Sequence, residues 1–498
     1  MQVGWTRPGV QGLLAALILL AAIAVRPALA AERTPDLVLK GEIAAADRET
    51  YRRETFEVPA GVRRLTVAFS YAGKADRTVI DVGLWDGARF RGWSGGARDR
   101  FTLSAEDATP GYLPGPLPAG RWTLMLGVPN IRAGNHASYE AHVFFDRGAS
   151  VAGFADAPLA DKPGWYRGDL HMHTAHSDAT CAGQDGVRAP CPVYRTVEAA
   201  AARGLDFIAI TDHNTVSQFD AERELQPAFS RLLLIPGREI TTFKGHANLF
   251  GPTAFVDFRL GDRAVPDMKA MEAATAASGG VFSINHPALM SGESCMGCGW
   301  TATDTDWRAI QAIEVVNGGV LALSDGGDGP LSGLPFWEAR LNAGYRITAI
   351  GGSDNHDAGL GPTKPAAIGR PTTVVYAQSL STPGILAGIR SGRVFIDTIG
   401  TRDRMLDLSA SAGGATAEMG GALVAPKGVG VHFAVRVENL PAGRLELLEE
   451  GHPVALTADG GFDWTSDGAR HWFRPGARDA RGLLVLIGNP IYVNFGGE

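Results

Sequence analysis

The chain has no run of basic residues and no stretch in which lysine and arginine cluster. Its 46 basic and 53 acidic residues leave a net charge of −7, which becomes −9 once Arg7 and Arg26 of the N-terminal segment are set aside. Nucleic-acid binding therefore has no electrostatic footing. Beyond the first 30 residues no segment is apolar enough to span a bilayer, which needs about 20 such residues. Cysteine is scarce, with Cys181, Cys191, Cys295 and Cys298 the full set. The Cys295-x-x-Cys298 spacing lacks both the second pair of a zinc ribbon and a thioredoxin-like setting. No serine nucleophile elbow (G-x-S-x-G) is expected in the chain, and no glycine-rich phosphate loop follows a strand. Both absences speak against a serine hydrolase or a nucleotide-dependent enzyme. Internal repeats and low-complexity tracts are also missing.

What is present describes a loop-rich β and α/β protein. Glycine (64) and proline (29) are plentiful, and 45% of residues are hydrophobic against 20% charged. With 498 residues, two or three domains are expected. Residues 1–30 read as a cleaved signal peptide: Arg7, an apolar run from Leu13 to Val25, then the small-x-small site Ala28-Leu29-Ala30. The mature protein is accordingly expected to be secreted or periplasmic, without stable membrane insertion. In an oxidising compartment the cysteines are expected in loop disulfides. Cys181–Cys191 and Cys295–Cys298 are the preferred pairs, with pairing across the two loops left open.

Three textures follow one another. Over 32–150, β-prone runs such as Arg64–Tyr71, Val79–Trp85, Trp122–Val128 and Tyr139–Phe145 alternate with Gly/Pro turns, predicting an N-terminal β-sandwich. Over 160–400 the pattern becomes strand, loop, helix. Apolar runs recur at Phe207–Ile210, Leu232–Ile235, Val281–Ile284, Ile313–Val316, Ile347–Ile350 and Thr373–Tyr376, with helical segments at Thr196–Arg203, Met268–Ala277 and Phe336–Asn342. This predicts a parallel sheet buried on both faces and closed into a barrel. Residues 401–498 return to β texture, predicting a C-terminal β-sandwich.

Seven of the 12 histidines fall between residues 171 and 356. His171 and His173 follow "WYRGDL", His213 follows "FIAIT", Glu239 follows "LLLIPGR" and His246 lies in "KGHANLFG". His286 ends "VFSINHP", and Asp354 and His356 end "ITAIGGSDNH". Strand C-termini of a parallel barrel share one mouth, so these groups are predicted to converge there. Imidazoles and carboxylates in such numbers point to divalent metal. In extended chain, residues i and i+2 point the same way, so His171 with His173, and Asp354 with His356, can each grip one ion. A carboxylate such as Glu239 can bridge two ions. With Asp178, the candidate ligands are His171, His173, Asp178, His213, Glu239, His246, His286, Asp354 and His356, enough for two or three ions. His176 has no partner at matching spacing and is expected in the pocket or at the surface.

"HMHTAHSD", "TDHN", "GREIT", "GHANLFG", "NHP" and "SDNH", in that order, resemble the motifs of the PHP (polymerase and histidinol phosphatase) superfamily over residues 165–397. "GRPTTVVYA", "IRSGRVFI" and "IGNPIYVNF" are similar to its CehA/McbA branch, named for carbamate-ester hydrolases acting on carbaryl. The resemblance implies a distorted (βα)7 barrel, flanked here by the two β-sandwiches, with two or three Zn, Mn or Fe ions. It would assign His171, His173, Glu239 and Asp354 to one ion, Glu239, His246 and His286 to a second, and Asp178, His213 and His356 to a third. Other members carry histidine where this chain has Asp178.

The expected activity is hydrolysis of a small-molecule ester by metal-activated water, with Glu239, Asp354 and Asn285 at the reacting centre. A phosphoester is the first expectation and a carboxylic or carbamic ester the alternative. Arg238, Lys244 and Lys364 are candidates to meet an anion. Trp300, Trp307, Phe336 and Trp337 are candidates for an apolar pocket, and Asn355 for a hydrogen bond to ligand or substrate. From a different class, the chain could be a non-catalytic envelope-binding protein presenting its sandwiches. Oligomeric state cannot be read from the sequence.

Overall fold

Alternation along the first strands decides which of their faces is buried. On His136–Asp146, Ala137, Tyr139, Ala141, Val143 and Phe145 point inward while His136, Ser138 and Glu140 face out. The computed structural model describes residues 33–148, 153–293, 295–324, 326–440 and 442–496, so the leader expected at 1–30 lies outside the described residues. Two four-stranded antiparallel sheets form first. One runs in the order Leu37–Ala44, His136–Asp146, Arg64–Tyr71, Arg100–Ser104, and the other Tyr51–Val58, Gly120–Asn130, Val79–Trp85, Phe90–Gly95. Their inner faces share one core, with Leu65, Val67 and Phe101 from the first sheet meeting Leu84, Trp122 and Leu124 from the second.

One G-x-S-x-G spelling does occur in this region, Gly92 to Gly96, which corrects the expectation that the chain has none. It runs along an antiparallel strand with no helix after it, and Ser94 Oγ bonds Tyr112 Oη at 2.9 Å. It lacks the strand-turn-helix geometry of a nucleophile elbow.

Seven strands then build the platform for the site. They are β1 (Gly164–Asp169), β2 (Phe207–Ile210), β3 (Leu233–Thr242), β4 (Gly245–Phe250), β5 (Val281–Ile284), β6 (Ala312–Asn317) and β7 (Thr348–Gly352). Each pairs with the next in chain order. Pairing is parallel from β1 to β3 and from β5 to β7. β4 is antiparallel to both of its neighbours, which corrects the expected all-parallel order. A parallel crossover needs about a dozen residues or more, and only Phe243 and Lys244 separate β3 from β4. The segments beyond β1 and β7 bond each other, through Asp354 N–H to His171 O (2.8 Å) and His173 N–H to Asn355 O (2.9 Å).

Helices α1 (Val193–Arg203), α2 (Phe219–Leu225), α3 (Met268–Ala277), α4 (Gly318–Leu323), α5 (Leu334–Asn342) and α6 (Thr382–Arg390) cover the sheet. On α1 the buried residues Val193, Thr196, Val197 and Ala200 follow the helical stripe, and Gly204 at φ 72° ends the helix. Asp267 caps α3 by accepting from Ala270 N–H. Among the described residues no helix joins β5 to β6, so the strand-helix alternation is incomplete. No helix among the described residues is long and apolar enough to cross a membrane.

The sheet does not stop at residue 400. β8 (Thr372–Ala377) joins β1, β9 (Val394–Asp397) joins β8, and Leu484–Gly488 then joins β9, carrying the sheet on to His471–Arg478 and Arg444–Glu449. A separate four-stranded antiparallel sheet of Ala415–Glu418, Met405–Ala412, Gly430–Glu438 and Gly461–Thr465 packs on this extension. Asn489 seals the junction, accepting Ala349 N–H at 2.7 Å and donating to Ala349 O and Val394 O.

Candidate metal centre

All seven strands contribute to one edge of the sheet. His171 and His173 follow β1, His213 follows β2, Glu239 lies in β3, His246 is in β4, His286 follows β5, Glu314 lies in β6, and Asp354 with His356 follows β7. His246 departs from the expectation of a strand C-terminus, since it stands near the start of β4. Because β4 runs antiparallel, its start opens on the same edge as the ends of its neighbours.

Glu239 is the centre of the cluster, 1% exposed. Five imidazoles face its carboxylate. His171 Nε2, His246 Nδ1 and His286 Nε2 lie 3.4, 3.4 and 3.6 Å from Oε1, and His213 Nδ1 and His173 Nε2 lie 2.8 and 3.7 Å from Oε2. Asp354 faces His173 Nε2 at 3.0 Å, His171 Nε2 at 3.3 Å and His356 Nδ1 at 3.7 Å. Asp178, more than half exposed, faces His356 Nε2 at 3.3 Å and His213 Nε2 at 3.7 Å. Donor atoms lie within 4.8 Å of one another in four groups: His173–Asp178–His213–His356, His171–His173–Asp354, His171–His286–Glu314 and Glu239–His246–His286. All nine sequence-derived candidates fall in this cluster. His176 stays out of it, exposed and bonded through Nδ1 to Ser217 Oγ at 2.7 Å.

Glu314 had no place in the sequence reading. Its Oε1 accepts from His171 Nδ1 at 3.1 Å, and its Oε2 accepts His286 N–H at 3.0 Å and Asn317 Nδ2 at 3.2 Å. A lone carboxylate inside the apolar run "AIEVV" was the available signal, because a buried acid needs partners. Asp169 also works from behind: buried, it accepts the backbone N–H of His171, Ser353 and Gly369, and burial pushes its carboxyl up to about 6.

The electrostatics match the geometry. Burial opposes ionisation of Glu239 and Asp354, but the imidazoles around them, His171 foremost, hold both well below the usual carboxylate range. Burial likewise opposes charging of His171, and Asp354, Glu314 and Glu239 overcome it, holding that ring well above its ordinary value. Ionised carboxylates beside imidazoles are the donors a divalent ion takes. Two of the buried atoms, His171 Nε2 and Glu239 Oε2, make no well-aligned hydrogen bond and meet only charged neighbours of the cluster. The donor set therefore fits divalent metal. Asp354 at φ 53° and His286 at φ 26° sit in the left-handed region, strain of the kind that gathers at functional sites.

Other candidates are placed differently. Asn285 Nδ2 donates to Glu239 Oε1 at 2.8 Å, so it holds the central carboxylate. Asn355 is spent on its own loop, donating to Asp357 O and Ala366 O. Arg238 is buried under the sheet, donating to Pro252 O and Ala254 O, so it does not face the mouth. Lys244 and Lys364 are exposed. Trp337 and Trp300 are core residues whose indole N–H groups donate to Ile347 O and Thr305 Oγ1, while Trp307 and Phe336 flank the Arg340 guanidinium. Cys181 pairs with Cys191 and Cys295 with Cys298, at Cα separations of 5.0 and 5.6 Å.

No family model matches the chain, and no curated protein matches it. Among solved structures it is similar to a proposed metal-dependent phosphoesterase from Bifidobacterium adolescentis. The identity is 16%, and the match covers 39% of this chain and 88% of that one with a TM-score of 0.26. A likeness at that level carries no argument.

Proposed function

We propose that this chain is an exported metal-dependent hydrolase of ester bonds, a PHP-superfamily enzyme of the CehA/McbA type. The observation that carries the reading is Glu239, a buried carboxylate faced by five imidazoles from four strands. Packing gives no reason to gather such groups, whereas metal ligation does. The seven-strand run joined beyond β1 and β7 is read as the distorted barrel of that superfamily. Zn, Mn and Fe all suit this mixed imidazole and carboxylate set.

When bound, clustered divalent ions supply activated water and an electrophile for the scissile oxygen. The protein's part is to hold the donors. Glu239 links the His171 side of the cluster to the His246–His286 side, and Asn285 orients it. Glu314 keeps a proton on His171 Nδ1, which leaves Nε2 facing inward. Asp178, His213 and His356 form the solvent-facing side, with side chains 55%, 27% and 40% exposed, so substrate is expected to enter there.

A phosphoester is the first substrate class, because two or three ions held by these groups would supply the positive charge that a phosphoryl group calls for. A carboxylic or carbamic ester is the second. It is favoured by the burial of Arg238 and by the exposure of Phe243 and Met296, 88% and 72%, the latter reaching His246 Nε2 through its backbone O. The test is metal analysis of the purified protein with hydrolysis of p-nitrophenyl phosphate, bis-p-nitrophenyl phosphate and 1-naphthyl acetate and carbamate. Two or three equivalents of metal with chelator-sensitive turnover support the reading, and the preferred ester selects the class. Less than one equivalent after reconstitution, with no turnover, overturns it in favour of a binding protein.

A further inference from the structure

We propose that the loop of residues 287–300, closed by the Cys295–Cys298 disulfide, positions His246 and His286 for the metal of the Glu239 group. The proposal rests on the metal-hydrolase reading. Two backbone carbonyls of this loop reach the two rings. Met296 O lies 3.2 Å from His246 Nε2, and Cys298 O lies 3.1 Å from His286 Nδ1. A carbonyl can only accept, so each ring keeps its proton on that nitrogen. The bare nitrogens are then His246 Nδ1 and His286 Nε2, the two that face Glu239 Oε1 at 3.4 and 3.6 Å. The rings present opposite nitrogens to the same carboxylate, and the loop carbonyls select which. A partner on the far nitrogen is what sets the tautomer and orientation of a metal-binding histidine.

The loop has no helix or strand of its own among the described residues, so local ties must hold those carbonyls in place. Gly292 and Cys295 exchange backbone hydrogen bonds at 3.0 and 3.2 Å, Trp300 N–H donates to Pro287 O, and Thr301 N–H donates to Lys244 O. Gly297, at φ 76°, lies flush on the turn between β3 and β4, where a Cβ would run into Thr242 O and Phe243 Cα. The disulfide spans this glycine and fastens the residues on either side of it. A ring this short removes little freedom from the unfolded chain, so its contribution is local order and not global stability.

The test is cobalt titration of the full oxidised chain, followed by absorption and by chelator competition, with melting temperature as a check on fold. The staple is opened in one variant by Cys295→Ser with Cys298→Ser. In another, Gly297→Ala displaces the loop while the disulfide stays closed. Both are expected to bind one cobalt equivalent about 10- to 100-fold more weakly, with an altered spectrum for that ion and the remaining equivalents retained. Wild-type cobalt number, affinity and spectrum in both variants would overturn the proposal. A wild-type chain that takes up no cobalt would overturn the metal reading itself, and this inference with it.

Discussion

Glu314 belongs to one of the four donor groups and also braces its neighbours. Its two oxygens receive His171 Nδ1, the His286 backbone N–H and Asn317 Nδ2, so it orients donors on both sides of Glu239. An amide of the same shape has one acceptor and one donor where the carboxylate has two acceptors. Glu314→Gln is therefore expected to keep the fold but weaken metal binding about 10- to 100-fold, the usual cost of losing an outer partner of a ligand. Competition against a chelator of known affinity measures it, and an unchanged affinity would reduce Glu314 to a packing role. Asn285 braces the centre directly, its Nδ2 donating to Glu239 Oε1 at 2.8 Å.

At the scale of elements, α3 carries an acid whose proton affinity burial raises. Glu272 on α3 is buried, and its Oε2 accepts Asp306 N–H at 2.8 Å while Oε1 has no partner. Burial pushes its carboxyl up to about 7. The folded state thus holds this proton more tightly than the unfolded chain does. The favourable contribution is complete below the ordinary carboxylate range and is lost as pH rises through about 7. Glu272→Gln should flatten the fall in melting temperature between pH 5 and 8, and a scan of melting against pH for both proteins tests it. An identical pH slope would show that Glu272 stays ionised across this range.

The β3–β4 hairpin is the element the sequence reading passed over. "GHANLF" shows no alternation, since all six of its residues are buried, and a strand buried on both faces has no period to read. Both faces of β3 are likewise almost wholly buried. By contrast, Arg64–Tyr71, Val79–Trp85, Phe207–Ile210 and Val281–Ile284 form strands over the spans expected, because apolar runs there end at clear turn residues. The helix expected from Thr196 begins at Val193, one turn earlier, where Val193 extends the buried stripe.

Across the whole molecule, one buried ion cluster ties the first two sheets to the α/β region. Asp107, 0% exposed, accepts from Arg64 Nη2 at 2.9 Å and from Arg223 Nε of α2 at 2.6 Å, and Ala108 N–H donates to Asp220 Oδ1. Removing the shared carboxylate leaves the buried Arg64 and the largely buried Arg223 guanidiniums without it. Asp107→Ala is therefore expected to destabilise the protein by about 3–5 kcal/mol, read from denaturant unfolding. A change below about 1 kcal/mol would mean that water replaces the carboxylate. Metal, if bound as proposed, should stabilise the fold by mass action, about 2.7 kcal/mol at a free concentration of 100 times Kd. Chelation should lower the melting temperature and metal should restore it, whereas a melting curve indifferent to chelator would argue that the cluster holds no ion.

Composition and spacing alone picked out the nine candidate residues that gather in the cluster, the preferred cysteine pairs and most strands, because each rests on residue identity or on a pattern local to the chain. Tertiary structure decided what depends on chain reversal and burial. It turned β4 antiparallel and so brought His246 to the mouth, and it set Glu314 behind His171. It buried Arg238 away from the site, and it carried the main sheet past residue 400 into the C-terminal strands. The physical reason is that a side chain's identity is local, whereas its partner is chosen by which distant strand lies beside it.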